Sequence, residues 1–191
     1  MRIRQLTPVV ILAAAALVFS QAPRDTATTM ISGKKLSIEY GRPALKGRNF
    51  ADLMKQLKAD RMWRAGSDRI TTFTTEADLM IGGIRVAAGK YSLYLHCPES
   101  GDYSLVLNSD LGQPLIKVWA AAPPAIANDL YPSFDYDKEI GGKEVVRAAM
   151  KKISAPAAEL LTYTFKSSDK GVLLTLAWGD QHWAIEIQAA K

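Results

Sequence analysis

Arginine and aromatic side chains recur in two neighbouring stretches of the sequence. Residues 40–48 read Tyr-Gly-Arg-Pro-Ala-Leu-Lys-Gly-Arg, and residues 62–68 read Met-Trp-Arg-Ala-Gly-Ser-Asp. A guanidinium group presents a rigid fork of donors that suits a carboxylate, phosphate or sulfate, and Tyr and Trp offer ring faces to a sugar or a cation. The arginine and aromatic residues therefore predict a binding site for an anionic small molecule, a glycan or a peptide. Its candidate residues are Tyr40, Arg42, Lys46, Arg48, Trp63, Arg64 and Asp68.

The same residues also have a structural interpretation. An arginine beside a tryptophan in a small β-domain often pairs with a nearby carboxylate, here Glu39, Asp60 or Asp68, and pins a long connection. Trp63 would then close one end of the fold. Both interpretations require an extended segment followed by a turn at Arg42-Pro43, because proline fixes its own φ and disfavours a helical residue before it.

The common catalytic and metal-binding motifs are missing from the sequence. No Gly-x-Ser-x-Gly nucleophile elbow occurs, and the spacing in residues 83–91 does not match a phosphate-binding loop. The chain has two histidines and one cysteine, and the adjacent His96 and Cys97 would point to opposite faces of a strand. We therefore predict no cofactor and no metal site, with Cys97 in the core and His182 exposed.

The first twenty residues have the pattern of a secretory signal peptide, with two arginines ahead of an apolar run and small or tolerated residues before Gln21. The run is shorter than the ~20 residues that a membrane-spanning helix needs, so we expect cleavage after Ser20 and no membrane span in the mature chain. The predicted organisation is a signal peptide at residues 1–20, a flexible lead-in at 21–33 and a single β-sandwich domain at 34–191. Such a protein would be exported, to the periplasm or beyond the cell.

Composition restricts the partners. The full chain has a formal charge of +5, of which two units belong to Arg2 and Arg4 in the predicted signal peptide. The rest of the chain is mildly basic and contains no dense lysine or arginine cluster, so a nucleic acid partner is not expected. A single cysteine cannot form an intrachain disulfide, and core packing must stabilise the fold.

Alternation with a period of two residues dominates the chain and predicts β-strands. Residues 174–178 and 181–187 form a hairpin if Gly179-Asp180 is its two-residue turn, which places Trp178 opposite Gln181. Residues 78–81 and 84–86 form a second hairpin around Gly82-Gly83, and it continues into a strand at 91–97. Further strands are predicted at 36–40, 70–74, 103–108 and 161–165.

About nine or ten short antiparallel strands predict a mainly all-β fold, either a sandwich or a barrel. Two segments are ambiguous. Residues 49–60 have apolar side chains at helical spacing and predict one short helix. Residues 144–153 have the composition of a helix, but their alternation predicts a strand.

The residue pattern resembles the bacterial family known as domain of unknown function 2911 (DUF2911). The resemblance extends from about residue 38 to residue 187 and is densest in residues 40–48, 63–66 and 82–93. It implies an exported domain with a mainly antiparallel β-fold, and it places a strand at 144–153. It implies no established activity and no cofactor.

Three functions are compatible with these features. The first is a non-enzymatic binding module that uses the arginine and aromatic residues. The second is a hydrolase of envelope polymers, with a carboxylate pair drawn from Glu39, Asp60 and Asp68, because glycoside chemistry needs two carboxyl groups facing one cleft. The third is an envelope scaffold protein that pairs with its partner along an open strand edge.

Overall fold

The structure is a computed structural model that describes residues 22–133 and 135–190. The predicted signal peptide and its cleavage point lie outside these residues. Within them the chain forms fifteen strands, two short α-helices and two 3-10 helices. The strands are β1 (Arg24–Ile31), β2 (Lys34–Gly41), β3 (Met62–Trp63), β4 (Thr72–Thr75), β5 (Leu79–Ile81), β6 (Ile84–Val86), β7 (Gly89–His96), β8 (Ser104–Asn108), β9 (Gln113–Pro114), β10 (Leu130–Tyr131), β11 (Glu144–Ala149), β12 (Lys151–Lys152), β13 (Ala158–Ser168), β14 (Gly171–Gly179) and β15 (Gln181–Ala189). The α-helices are α1 (Phe50–Met54) and α2 (Tyr136–Glu139), and the 3-10 helices are Leu115–Lys117 and Gly141–Lys143.

Two antiparallel sheets make up the fold. The first sheet has the order β1-β2-β4-β7-β8-β11, with β3 also paired to β7. The second has the order β13-β14-β15-β5-β6, with β12 also paired to β15, and β9 and β10 form a separate small pair. Neither sheet closes into a barrel, so the sandwich prediction is confirmed and the barrel alternative is not.

The inner faces of the two sheets enclose one hydrophobic core. Ile38 and Leu93 from the first sheet and Leu174 from the second are fully excluded from solvent. Each of these side chains contributes roughly 1.5–3 kcal/mol through burial. Cys97 lies in the same core, as predicted, and burial raises the pKa of its thiol to about 12.

Both predicted hairpins are confirmed. In β14–β15, Trp178 lies opposite Gln181 and Leu176 opposite Trp183. In β5–β6, Ile81 lies opposite Ile84, and both turn glycines have positive φ, 58° at Gly82 and 82° at Gly83. The strand prediction for residues 144–153 is also confirmed, by β11 and β12.

The described part of the predicted lead-in is mostly a strand. β1 pairs with β2 along its whole length, from Arg24 opposite Gly41 to Ile31 opposite Lys34. The segment is polar, but it forms a strand at the edge of a sheet. Such a strand needs buried side chains on only one face. Pairing with β2 orders the segment.

The helices differ from the prediction. α1 begins after Asn49, whose side chain accepts the Ala51 N–H at 2.7 Å, but it ends at Met54, well before residue 60. The second helix, α2, was not predicted. It covers the outer face of the first sheet, where Tyr136 packs with Tyr94 and Val106 in a second apolar cluster.

The prediction of an exposed His182 is wrong, since the residue is only 3 % exposed. β12 lies beside β15 at this point, and the Ile153 N–H donates to the His182 carbonyl at 2.9 Å. Two-residue strands such as β9 and β10 were missed because they are too short to show an alternation. They also account for part of the difference between the predicted and observed strand numbers.

Asp78 holds the base of the β5–β6 hairpin. Its Oδ1 accepts the Ala88 N–H at 2.8 Å and its Oδ2 accepts Arg85 Nη2 at 2.7 Å. These bonds, first that of Ala88 and then that of Arg85, lower the pKa of Asp78 below its ordinary value. Because the folded pKa lies below the unfolded one, the stabilisation is present at neutral pH and is lost as the pH falls through the folded value.

We therefore expect Asp78→Asn to be less stable than the unchanged protein at neutral pH. The difference should shrink below about pH 4, where the unfolded state begins to take up a proton at this carboxyl group, and vanish below the lower folded pKa. Urea unfolding at neutral pH and at roughly pH 3 measures both values. A stability difference that does not change with pH would show that the charge of Asp78 contributes nothing.

Candidate functional site

The candidate site begins at one edge of β7, where two short strands, β3 and β4, pair with different parts of the same strand. β3 pairs with β7 at Leu95 and His96, and β4 pairs with it from Gly89 to Ser92. Between β3 and β4 the chain leaves the sheet as a loop, residues 64–71. The loop contains two non-glycine residues with positive φ, Ala65 at 51° and Asp68 at 59°, a conformation that costs about 1–2 kcal/mol per residue and is concentrated at functional sites.

Buried hydrogen bonds hold this loop in place. The Ala65 carbonyl accepts Tyr163 Oη at 2.8 Å and Thr71 Oγ1 at 3.2 Å. Burial raises the pKa of Tyr163 well above its ordinary value, so its hydroxyl stays protonated and remains a donor. Arg64 is therefore presented on a backbone that is fixed from the core.

The two sequence motifs, residues 40–48 and 62–68, pack against each other at glycine residues. A Cβ atom on Gly66 would lie 2.4 Å from Thr71 Oγ1, and one on Gly41 would lie 2.1 Å from the Ser67 carbonyl oxygen. Only glycine allows the end of β2 and the 64–71 loop to approach this closely. Residues 40–48 and 62–68 consequently form one structural unit.

The unit borders a pocket of about 270 Å³, which we call the arginine pocket. Its lining includes Arg48, Gln56, Trp63, Arg64, Ser67 and Trp178. No acidic side chain is among the described residues that line it. The charged side chains in its described lining, Arg48 and Arg64, are therefore both positive.

The two arginines of the pocket differ in their partners. Arg48 donates from Nε to the Leu45 carbonyl at 2.8 Å and from Nη2 to the Ala44 carbonyl at 2.7 Å. Arg64 is exposed, and its side chain makes no hydrogen bond or ion pair with any residue that the structure describes. Every other described arginine donates at least one hydrogen bond.

The wall of the arginine pocket includes two stacked indoles. Trp63 and Trp178 have ring centroids 5.4 Å apart and an interplanar angle of 10°. Trp178 Nε1 and Ser67 Oγ are buried without a hydrogen-bond partner in residues 22–133 and 135–190. Leaving a buried polar group unpaired costs about 1–3 kcal/mol.

A second pocket, of about 210 Å³, shares Trp63 and Arg64 with the first. We call it the tyrosine pocket, because its lining includes Met62, Tyr94, Tyr131 and Tyr136. Gln56, Leu57, Trp63 and Arg64 line both pockets. The two pockets together form the Trp63–Arg64 cleft.

Charges at the rim of the tyrosine pocket come from Lys58, Asp60 and Arg64. The Asp60 carboxylate accepts two backbone hydrogen bonds, from the Met62 N–H at 3.0 Å and the Tyr136 N–H at 3.2 Å. It thereby ties β3 to α2. Asp60 is thus already bonded, whereas the guanidinium of Arg64 has no partner among the described residues.

Two of the predicted site residues are part of the packing between strands. Tyr40 is 1 % exposed, and its hydroxyl accepts the Tyr163 N–H at 3.2 Å and donates to Asp25 at 3.5 Å. Arg42 donates to the Leu161 carbonyl at 3.2 Å and to Thr162 Oγ1 at 3.1 Å, and it forms an ion pair with Asp25 at 3.4 Å. Arg42 joins the two sheets.

Lys46 and Asp68 also do not line the cleft. Lys46 is exposed in a turn, with its backbone N–H donating to Glu159 at 2.7 Å. Asp68 accepts the Ala22 N–H at 2.9 Å. Of the seven predicted residues, the structure gathers Arg48, Trp63 and Arg64 around one cleft.

Sequence reasoning missed Ser67, Trp178 and the three tyrosines as cleft residues. Ser67 follows Gly66 directly and lies within residues 62–68, so the sequence motif already indicated its position near Arg64. Trp178 and the tyrosines belong to distant segments, and no local pattern connects them with Arg64. Their contribution depends on how the two sheets and α2 pack.

Among the described residues, no cluster of three or more His, Cys, Asp or Glu side chains is arranged to hold a metal ion. Within the same residues, no helix has the length and apolar character needed to cross a bilayer.

Comparison with curated proteins and with solved structures found no match. The model of one protein family, described as "Protein of unknown function (DUF2911)", matches residues 22–187. Because this match covers most of the sequence, the chain belongs to the DUF2911 family.

Proposed function

We propose that this protein is an exported binding module that holds a small anionic ligand in the arginine pocket. The supporting observation is a pocket that two arginines line and that no described acidic residue lines. Arg64 is exposed and has no hydrogen-bond partner among the described residues. Its guanidinium can therefore donate hydrogen bonds to an anion.

Preorganisation supports the same proposal. Arg48 is held by two backbone carbonyls, and the loop that carries Arg64 is held by Tyr163. Binding therefore requires little additional ordering of the backbone. A charge-assisted hydrogen bond contributes about 1.5–3 kcal/mol, so the loss of Arg64 should weaken binding by roughly 10- to 100-fold.

The carboxylates invoked for a hydrolase are engaged elsewhere. Glu39 bonds Arg24 at 2.9 Å, and Asp68 bonds the backbone of Ala22. Only Asp60 of the three lines the cleft, and both of its oxygens accept backbone hydrogen bonds. We therefore favour binding over hydrolysis.

Arg64→Gln is expected to remove about half or more of the stabilisation that an anion gives to the folded protein, because binding weakens roughly 10- to 100-fold. Thermal-shift assays with phosphate, sulfate, citrate and aromatic carboxylates measure this effect. A ligand at 100 times its Kd adds about 2.7 kcal/mol, which raises Tm by roughly 5–10 °C in a domain of this size. Arg64→Gln should unfold at nearly the unchanged Tm when no ligand is present, because Arg64 has no described partner to lose.

Lys166→Gln is the matched control, because it removes the same charge from an exposed position on β13. A ligand response that both variants lose equally would indicate a non-specific charge effect. No response from any anion would contradict the proposal and favour a protein partner. The protein should be expressed as the full chain, and an intact mass that retains residues 1–20 would contradict export.

A further inference from the structure

We infer that the ligand is a monocyclic aromatic carboxylate, with its ring in the tyrosine pocket and its carboxylate on Arg64. This inference rests on the proposed function, since it assigns a chemical class to the anion that the cleft binds. It adds a role for the tyrosine pocket, which anion binding alone does not require.

The first step is the shared wall between the two pockets. Trp63 and Arg64 line both of them. A ligand that lies in the tyrosine pocket can therefore place its anionic group on Arg64, at the border with the arginine pocket. The exposed guanidinium, which has no partner among the described residues, is available from this side as well.

The second step is size. The tyrosine pocket encloses about 210 Å³, and an apolar cavity of about 150 Å³ is known to hold benzene. One six-membered ring with one short substituent therefore fits. A disaccharide or a nucleotide would extend far outside the pocket.

The third step is the chemistry of the walls. The lining of the pocket includes Trp63, Tyr94, Tyr131 and Tyr136 together with Met62. Tyr94 and Tyr136 contact each other edge to face, with centroids 4.9 Å apart and planes at 71°. Such walls suit the offset or edge-on packing of another aromatic ring.

The same pocket lining is less suitable for binding a sugar ring. Its hydroxyl groups need several free polar partners, and burial without them is unfavourable. The carboxylate of Asp60 is already bonded to two backbone N–H groups, and aromatic and apolar side chains make up most of the lining. Arg64, which has no hydrogen-bond partner among the described residues, can donate to the carboxylate of an acid.

Isothermal titration calorimetry with phenylacetate, glucuronate and inorganic phosphate tests the inference. We expect the folded, unchanged protein to bind phenylacetate roughly 10-fold more tightly than the other two probes. Tyr131→Ala should weaken phenylacetate binding roughly 10-fold and leave phosphate binding unchanged. Tyr131→Phe keeps the ring and should retain binding, while Arg64→Gln should weaken the binding of both anions roughly 10- to 100-fold.

A competition experiment needs no variant and remains informative if Tyr131→Ala fails to fold. Phosphate should raise the apparent Kd of phenylacetate, because both anions use Arg64. If the two bind independently, the inference is overturned.

The remaining outcomes separate the inference from the proposed function. Arg64-dependent phosphate binding without a preference for phenylacetate would overturn the inference and leave the proposed function standing. Tighter binding of glucuronate than of phenylacetate would also overturn it, in favour of an acidic sugar. If none of the probes binds and none of the anions in the thermal-shift panel does, both proposals fail.

Discussion

Trp178→Ala is expected to lower the free energy of unfolding by about 3–5 kcal/mol, the usual range for removing a buried tryptophan. Trp178 is 4 % exposed. It stacks on Trp63 at 5.4 Å and meets the edge of Phe50 at 5.9 Å and 90°. Its loss leaves a cavity beneath Trp63, and α1 loses a contact through Phe50.

Equilibrium urea unfolding of the ligand-free protein measures this loss. Trp119→Ala is the matched control, because Trp119 is 38 % exposed and its truncation removes less buried surface. Trp178→Phe keeps an aromatic ring and should lie between alanine and the unchanged protein. If Trp178→Ala and Trp119→Ala lower the free energy of unfolding by the same amount, the indole stack does not stabilise the cleft.

The consequence for ligand binding follows from the same contacts. Trp63 is shared by both pockets and rests on Trp178. Without that support, the wall between the pockets is no longer held in one position. Trp178→Ala should therefore lose any ligand response under conditions in which it is still folded.

Gly41→Ala is expected to destabilise the protein by about 2–3 kcal/mol, at the upper end of the range for overpacking. The new Cβ would lie 2.1 Å from the Ser67 carbonyl oxygen and 2.6 Å from Ser67 Oγ. The first of these is a backbone atom, so no rotamer change relieves the contact. Ser67 cannot move freely either, because its loop is held at Ala65 by Tyr163.

The variant should also lose the anion response, because a displaced Ser67 alters the arginine pocket that it lines. Gly142→Ala is the matched control, since a Cβ on Gly142 would meet no atom within 4 Å. Thermal unfolding with and without ligand measures both effects. An unchanged Tm in Gly41→Ala would mean that the loop accommodates the methyl group and that the close approach is not a constraint.

Local sequence patterns were sufficient wherever neighbouring residues decide the structure. The β14–β15 and β5–β6 hairpins were predicted with their register, because a two-residue turn between alternating strands allows only one pairing. The helix at α1 was predicted from its spacing but not its end. That end is set by tertiary packing, since the chain must turn after Met54 to reach β3.

The candidate site shows the same division. Arg48, Trp63 and Arg64 were predicted and do lie on one cleft. Tyr40 and Arg42 were predicted on the same grounds, yet their partners Asp25, Leu161 and Tyr163 lie in β1 and β13. Nothing in residues 40–48 indicates which strands lie beside them.

By itself the sequence determined the antiparallel β class, the registers of two hairpins, the family and the pairing of arginine with aromatic residues in two motifs. These properties depend on turn chemistry and on the two-residue period of a strand, which act over a few residues. Only the tertiary structure decided that Arg64 has no hydrogen-bond or ion-pair partner among the described residues and that Arg42 joins the two sheets. It also decided that Trp178 and the tyrosines complete the cleft, because contacts between segments that are distant in the sequence arise from sheet packing and leave no local signal.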